Sequence, residues 1–151
     1  MTTQALQITA HEFDDRNITW RKIEGFDEVS YYIYDVDEKN RIVDVLFKFA
    51  ANQQIMLHQH KASYRTFVVQ GELRIYHANG ELKEVRPVGS YVSSDANGEP
   101  HRESAGDEDA VVFFSNRNIE DGIYEFLDDD LNAVLAFGIA DFKALFDAQK
   151  T

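Results

Sequence analysis

His58-Gln59-His60 closes an apolar run, Gln53-Gln-Ile-Met-Leu57, and a third histidine, His101, follows in Gly98-Glu-Pro-His-Arg102. Residues two apart on an extended strand face the same way, so the first two imidazoles would project side by side. Neutral imidazole is the commonest protein metal ligand and suits Zn, Fe, Cu and Ni. In an antiparallel sheet, a separation of some forty residues returns the chain to a neighbouring strand. His58, His60 and His101 are therefore candidate ligands of one metal centre.

Several neighbours of these histidines carry chemistry of their own. Glu103 lies two residues past His101 and shares its strand face. It could act as a general base, as a fourth ligand, or as the partner that fixes an imidazole tautomer. Arg65 is a candidate to reach inward toward a substrate anion or toward Glu103, the other reading being an ion pair on the outer surface. Tyr64 would bring a phenol close to the open coordination positions, or else pack at the bend. By strand parity Gln54 and Met56 share the face of His58 and should line the same cavity. Phe47, Phe67, Phe113 and Phe114 are core residues or walls of a pocket. His11 and His77 fall outside this set and are expected at the surface.

Composition excludes several alternatives. The net charge of −12 argues against nucleic acid, where Lys and Arg neutralise phosphate, and against anionic membrane surfaces. The absence of cysteine removes disulfides, thiol catalysis and thiolate metal sites, and fits a cytoplasmic protein. The N-terminus has no basic segment followed by an apolar one, and no stretch has the apolar length of a membrane span. A chain of 151 residues suggests one domain, 1–151, with an arm at 1–17 and a core over about 18–138.

The elements that must position the histidines are strands. Ile18–Ile23 is a first short strand, and Trp20 on it is a core or interface anchor. Val29–Val36 and Arg41–Phe49 form a hairpin in which Val43, Val45, Phe47 and Phe49 share one face. Strands follow at 53–60, 65–70, 72–77, 81–86, 90–94, 101–104, 110–115, 123–127 and 133–137. Asn79-Gly80 signals a type I′ hairpin turn. Asp128-Asp-Asp130 lacks the Gly and distal Glu of an EF-hand and reads as a solvated turn. Asp141 is expected to cap a short helix over about 140–149, with Phe142, Leu145 and Phe146 on its apolar side. Some ten short strands with regular turn signals imply an all-β barrel or jelly roll.

The two histidine segments resemble the motifs of the cupin family. The first motif runs His-x-His, then a Glu, then a Gly; it is matched by His58-Gln-His60, Lys61-Ala-Ser-Tyr-Arg65 and Gly71. The second, a Pro-x-Gly turn followed by a His, is matched by Pro87-Val-Gly89 and by His101 within Gly98–Arg102. The family's Glu would fall at Tyr64 or Arg65, and neither is a carboxylate. The resemblance implies a double-stranded β-helix, a jelly-roll barrel, with a short C-terminal helix and a three-histidine centre. It is nearest to the small cupins that cleave acetylacetone or dihydroxyacetophenone. That implies a divalent metal, Fe(II) ahead of Zn, Ni or Mn, and O₂-dependent cleavage of a carbon–carbon bond in a small diketone or hydroxyketone. Glu103, Arg65 and Tyr64 would surround the reacting molecule, and the protein would work as a homodimer or higher homo-oligomer. A sensor that binds metal or ligand without turnover, and a metal-assisted isomerase or lyase, are the alternatives.

Overall fold

The computed structural model describes residues 12–150. His11 and residues 1–11 of the expected arm lie outside them. The described residues form eleven strands and one helix: β1 (Val29–Asp37), β2 (Ile42–Phe49), β3 (His58–His60), β4 (Ser63–Gln70), β5 (Glu72–His77), β6 (Leu82–Pro87), β7 (Tyr91–Ser94), β8 (His101–Ala105), β9 (Ala110–Arg117), β10 (Gly122–Leu127), β11 (Ala133–Gly138) and α1 (Ile139–Ala148). Every pairing is antiparallel. One sheet has the order β1-β2-β9-β4-β7 and the other β11-β10-β3-β8-β5-β6. From β2 to β5 and from β6 to β10 successive strands alternate between the sheets, as in a jelly roll, while β1-β2, β5-β6 and β10-β11 are hairpins within one sheet.

The core lies between the sheets because alternate residues of each strand point there. Ile33, Val45, Phe49, Val112 and Phe114 come from the first sheet, and Leu73, Ile75 and Ile123 from the second; all are fully or almost fully buried. The expected inward face of β2 holds, with Phe47 half-buried beside Phe114 at a ring separation of 5.2 Å.

Three local expectations are corrected. Ile18–Ile23 is not a strand but a single bridge, Arg21 to Tyr31, and Trp20 is half-buried with its indole N–H donating to Asp15 at 2.8 Å rather than lying in the core. Regular pairing at 53–60 begins only at His58, after one isolated bridge from Gln54 to Ser104. Gly80 has a positive φ and Asn79 does not, while His77 N–H donates to Glu81 across the connection. That is a three-residue loop with a bulge, not a type I′ turn.

Helix α1 begins at Ile139, and Asp141 stands in its first turn, accepting the Gly138 N–H at 2.7 Å instead of preceding the helix. At its far end the Gln149 side chain accepts from Ile33 N–H and donates to Ile33 C=O, at 2.9 and 3.0 Å. β1 is an edge strand, and these bonds with the Arg21 bridge occupy part of its open ladder.

Candidate metal centre

His58 and His60 stand on β3, and His101 and Glu103 on β8, the neighbouring strand of the same sheet. His58 pairs directly with His101. Period-two alternation then turns all four side chains inward, and all four are buried, none more than 6% exposed. Their ligand-capable atoms lie within 4.8 Å of one another. Nε2 of His60 is 3.1 Å from Nε2 of His101, Nε2 of His58 is 2.9 Å from Glu103 Oε1, and Nε2 of His101 is 3.7 Å from Glu103 Oε2.

This donor set fits a cation. Two ligand atoms about 2.1 Å from one ion and at right angles to each other are about 3 Å apart, which matches the two closest separations. His58 Nδ1 lies 2.9 Å from the carbonyl of Met56. A carbonyl only accepts, so Nδ1 carries a proton, and Nε2 is left to share either a proton or a cation with the carboxylate. Two nitrogens, or a nitrogen and a carboxylate oxygen, that meet lone pair to lone pair are reconciled by a shared cation. His60 Nδ1 is buried and has no hydrogen-bond partner; the ring is instead held by the Tyr64 ring, stacked at 3.7 Å with 10° between the planes.

Burial sets the protonation states. It pushes the His60 imidazole well below its ordinary value and brings His101 down to about 4, although Glu103 pulls both upward. Both rings are therefore neutral and ready to ligate near pH 7. Burial alone would raise Glu103, but the hydrogen bond with His58 and the surrounding imidazoles outweigh it and hold the carboxyl below the usual range. The Tyr64 and Tyr124 phenols go the other way: burial, with Glu103 nearby, lifts both above the ordinary tyrosine value, so they stay protonated. Tyr124 OH donates to Asn116 at 3.3 Å.

Two cavities meet the cluster from different sides. One, about 280 Å³, is lined by His60, His101, Tyr64, Arg86, Lys83 and Glu99, among others. The other, about 40 Å³, touches His58 and Glu103 and is otherwise walled by aromatic and aliphatic side chains such as Phe49, Ile55 and Phe126.

Sequence comparison identifies no relative: no family model matches the chain, and no curated protein does. Solved structures do match. An RmlC-like cupin protein from Ralstonia eutropha JMP134 superposes with a TM-score of 0.73 over 97% of this chain and 90% of that one, at 19% identity. The fold is a cupin fold. An acetylacetone dioxygenase from Acinetobacter johnsonii gives a TM-score of 0.69 over 94% of this chain and 95% of that one, at 15% identity. A DMSP lyase from Ruegeria pomeroyi DSS-3 gives 0.57 over 72% and 60%, at 16% identity.

Within the cupin fold the departures from the motif acquire positions. The place expected for the first-motif carboxylate is taken on β4 by Tyr64, which faces inward onto His60. The carboxylate in the cluster is Glu103, from β8. A +2 ion held by three imidazoles and this carboxylate would keep a net charge of +1, not the +2 of a three-histidine shell. Arg65 is corrected outright. It alternates with Tyr64, so it emerges on the outer face, where Nε donates to Ser93 Oγ at 3.2 Å. The arginine that does reach the polar cavity is Arg86, which sequence reasoning missed. It is 7% exposed, with Nε on Glu84 at 2.8 Å and Nη1 on Thr66 at 3.0 Å. Its only signal was its inward parity in a strand otherwise exposed to solvent.

Gln54 and Met56 line neither of these two cavities; Ile55 lines the apolar one. Parity fails there because the segment pairs only by the isolated Gln54 bridge and the Ile55 N–H bond to Glu103 C=O. His77 is half-buried at the rim, its Nδ1 2.6 Å from Glu99, which also takes Lys83 at 3.1 Å. Among the described residues, no helix is long and apolar enough to cross a membrane.

Proposed function

We propose that this cupin-fold protein is a mononuclear metal enzyme whose ion, Fe(II) ahead of Zn, Ni or Mn, is held by His58, His60, His101 and Glu103, and that it uses O₂ to cleave a carbon–carbon bond of a small diketone or hydroxyketone. The observation that carries this reading is the convergence of three imidazoles and one carboxylate at the boundary of a polar and an apolar cavity. A bound redox-active ion would supply the oxygen chemistry. The chain would supply the rest. The polar cavity takes the substrate, with Arg86 at its wall to orient a negative oxygen. Tyr64, protonated and next to His60, is placed to donate a hydrogen bond to a substrate oxygen. The packed aromatic wall keeps bulk water from the His58 side. Likeness to the Acinetobacter johnsonii dioxygenase supports the reading at the level of fold.

The test is oxygen uptake by iron-loaded protein supplied with small β-diketones and hydroxyketones. Uptake in proportion to product is expected, and stoichiometric zinc with no uptake after iron loading would overturn it. A metal-assisted lyase is the second reading, favoured by the backbone likeness to the DMSP lyase; it predicts product without oxygen consumption. Ligand binding that survives chelation would instead indicate a sensor.

We also propose that two copies associate through the outer face of the first sheet. Tyr32, Leu46, Phe113, Phe67 and Tyr91 follow one another across all five strands in direct register. Phe67 and Tyr91 are 40% and 61% exposed. The charged residues in register on the same face are Asp35, Asp37 and Asp44 against Lys48, Arg65 and Arg117, so the charges balance and this face lacks the acidic surplus that would keep two copies apart.

A further inference from the structure

The two cavities at the cluster differ in size and chemistry so sharply that they cannot serve one molecule. The polar one, about 280 Å³, has the dimensions of a small-molecule site. The other is about 40 Å³, and its walls are carbon apart from His58, Glu103 and Tyr124. This chamber offers about one seventh of the space of the polar cavity, room for a small molecule only.

Water is a poor occupant as well. A buried water needs two to four polar partners. Here Glu103 Oε1 and His58 Nε2 face each other at 2.9 Å, and the Tyr124 hydroxyl is engaged with Asn116. The remaining surface is aromatic rings and aliphatic methyl groups, among them Phe49, Phe114, Phe126, Ile23, Val29 and Ile55. Apolar cavities of this kind stay dry and take up xenon. A small apolar gas loses nothing by leaving water for such a space.

We propose that this chamber is the dioxygen pocket of the centre: it admits the gas on the His58–Glu103 side while the organic substrate occupies the polar cavity on the His60–His101 side. The dioxygen assignment rests on the oxygenase reading above; the gas-binding property does not. Separate approaches would let the substrate fill its cavity without blocking the gas.

The test uses xenon and nitric oxide as probes. In zinc-loaded protein under xenon, the methyl resonances of Ile23 and Ile55 should shift with saturation, while Ile75 in the polar cavity should not. Ile23→Trp, which fills the chamber from its half-buried end, should abolish the shift at Ile55. Val29→Phe, from a second wall position, guards against a folding failure of the first variant, with circular dichroism and bound metal compared with the parent protein. In ferrous-loaded protein, nitric oxide association should slow at least tenfold in both filled variants. Absence of xenon shifts, shifts at Ile75 instead, or unchanged nitric oxide association in folded, metal-replete variants would overturn the proposal. If these arms succeed and no substrate drives oxygen uptake, the oxygenase reading fails and the gas chamber stands. If uptake is found and the filled variants bind nitric oxide normally, the reverse holds.

Discussion

Each of the four clustered side chains contributes a lone pair, and removing one should show which are ligands. His58→Ala, His60→Ala and His101→Ala should each lose stoichiometric metal after dialysis against a weak chelator, measured by elemental analysis. Glu103→Gln keeps the shape and removes the charge; its affinity should fall at least about tenfold in a competition titration, the scale seen when groups supporting a metal site are altered. Unchanged affinity would make Glu103 a bystander. The depressed His101 value also fixes a pH dependence for metal-free protein. The unfolded chain takes up this proton near 6.5, and the folded one only near 4. The stability it contributes is therefore complete above about 6.5 and lost as pH falls toward 4, about 3 kcal/mol at roughly 1.4 per unit. His60 acts in the same direction. Urea midpoints in chelator should drop across that window, and a flat profile would contradict it.

At the scale of elements, the centre depends on β3 and β8 lying side by side, and neither is long. β3 has three residues, held by β10 on one side and β8 on the other. Two hydrogen bonds with the connection between β7 and β8 lock it further. Asn97 N–H donates to His60 C=O at 2.8 Å, and Gln59 Nε2 donates to Gly98 C=O at 2.8 Å. The motif glycine, Gly71, has a different task. Its φ is +67°, and a Cβ there would sit 2.9 Å from the Asp109 carbonyl, where β4 passes into β5. Gly71→Ala should therefore cost about 1–3 kcal/mol in denaturant unfolding, from left-handed strain and the backbone clash together. A change within about 0.5 kcal/mol would show that the chain relaxes there.

For the whole molecule, the outward row that ends in the exposed Phe67 and Tyr91 sets the expectation. Four strands of about eight residues and the four-residue β7, about 4.8 Å apart, present a face of roughly 600 Å² before side-chain relief, approaching the roughly 800 Å² per partner of a standard interface. The wild-type protein should sediment as a dimer at micromolar concentration. The double change Phe67→Asp and Tyr91→Asp should give a folded monomer, since it replaces two exposed apolar rings of the face with charges. A monomeric wild type would refute the pairing. Covering this face would leave the polar cavity open, because its lining residues Tyr64 and Ser94 project to the other side of β4 and β7.

Strand alternation is a local property, and the sequence determined it well: β1, β2, β5 and the later strands were readable, as were the three histidines and their strand faces. Local rules failed where the backbone leaves regular pairing. The 53–57 segment reads as strand, but its partner β8 reaches it only at isolated points, so parity could not say that Ile55 and not Met56 faces the centre. The fourth member of the cluster needed tertiary structure for a similar reason. Motif spacing pointed to Tyr64 and Arg65, and one-residue alternation sends these to opposite faces of β4. Glu103 was visible two residues past His101, but only the pairing of β8 with β3 shows its carboxylate meeting three imidazoles. Whether a carboxylate is ligand, base or surface charge depends on what stands across from it, and contacts across a sheet are made by residues far apart in the chain.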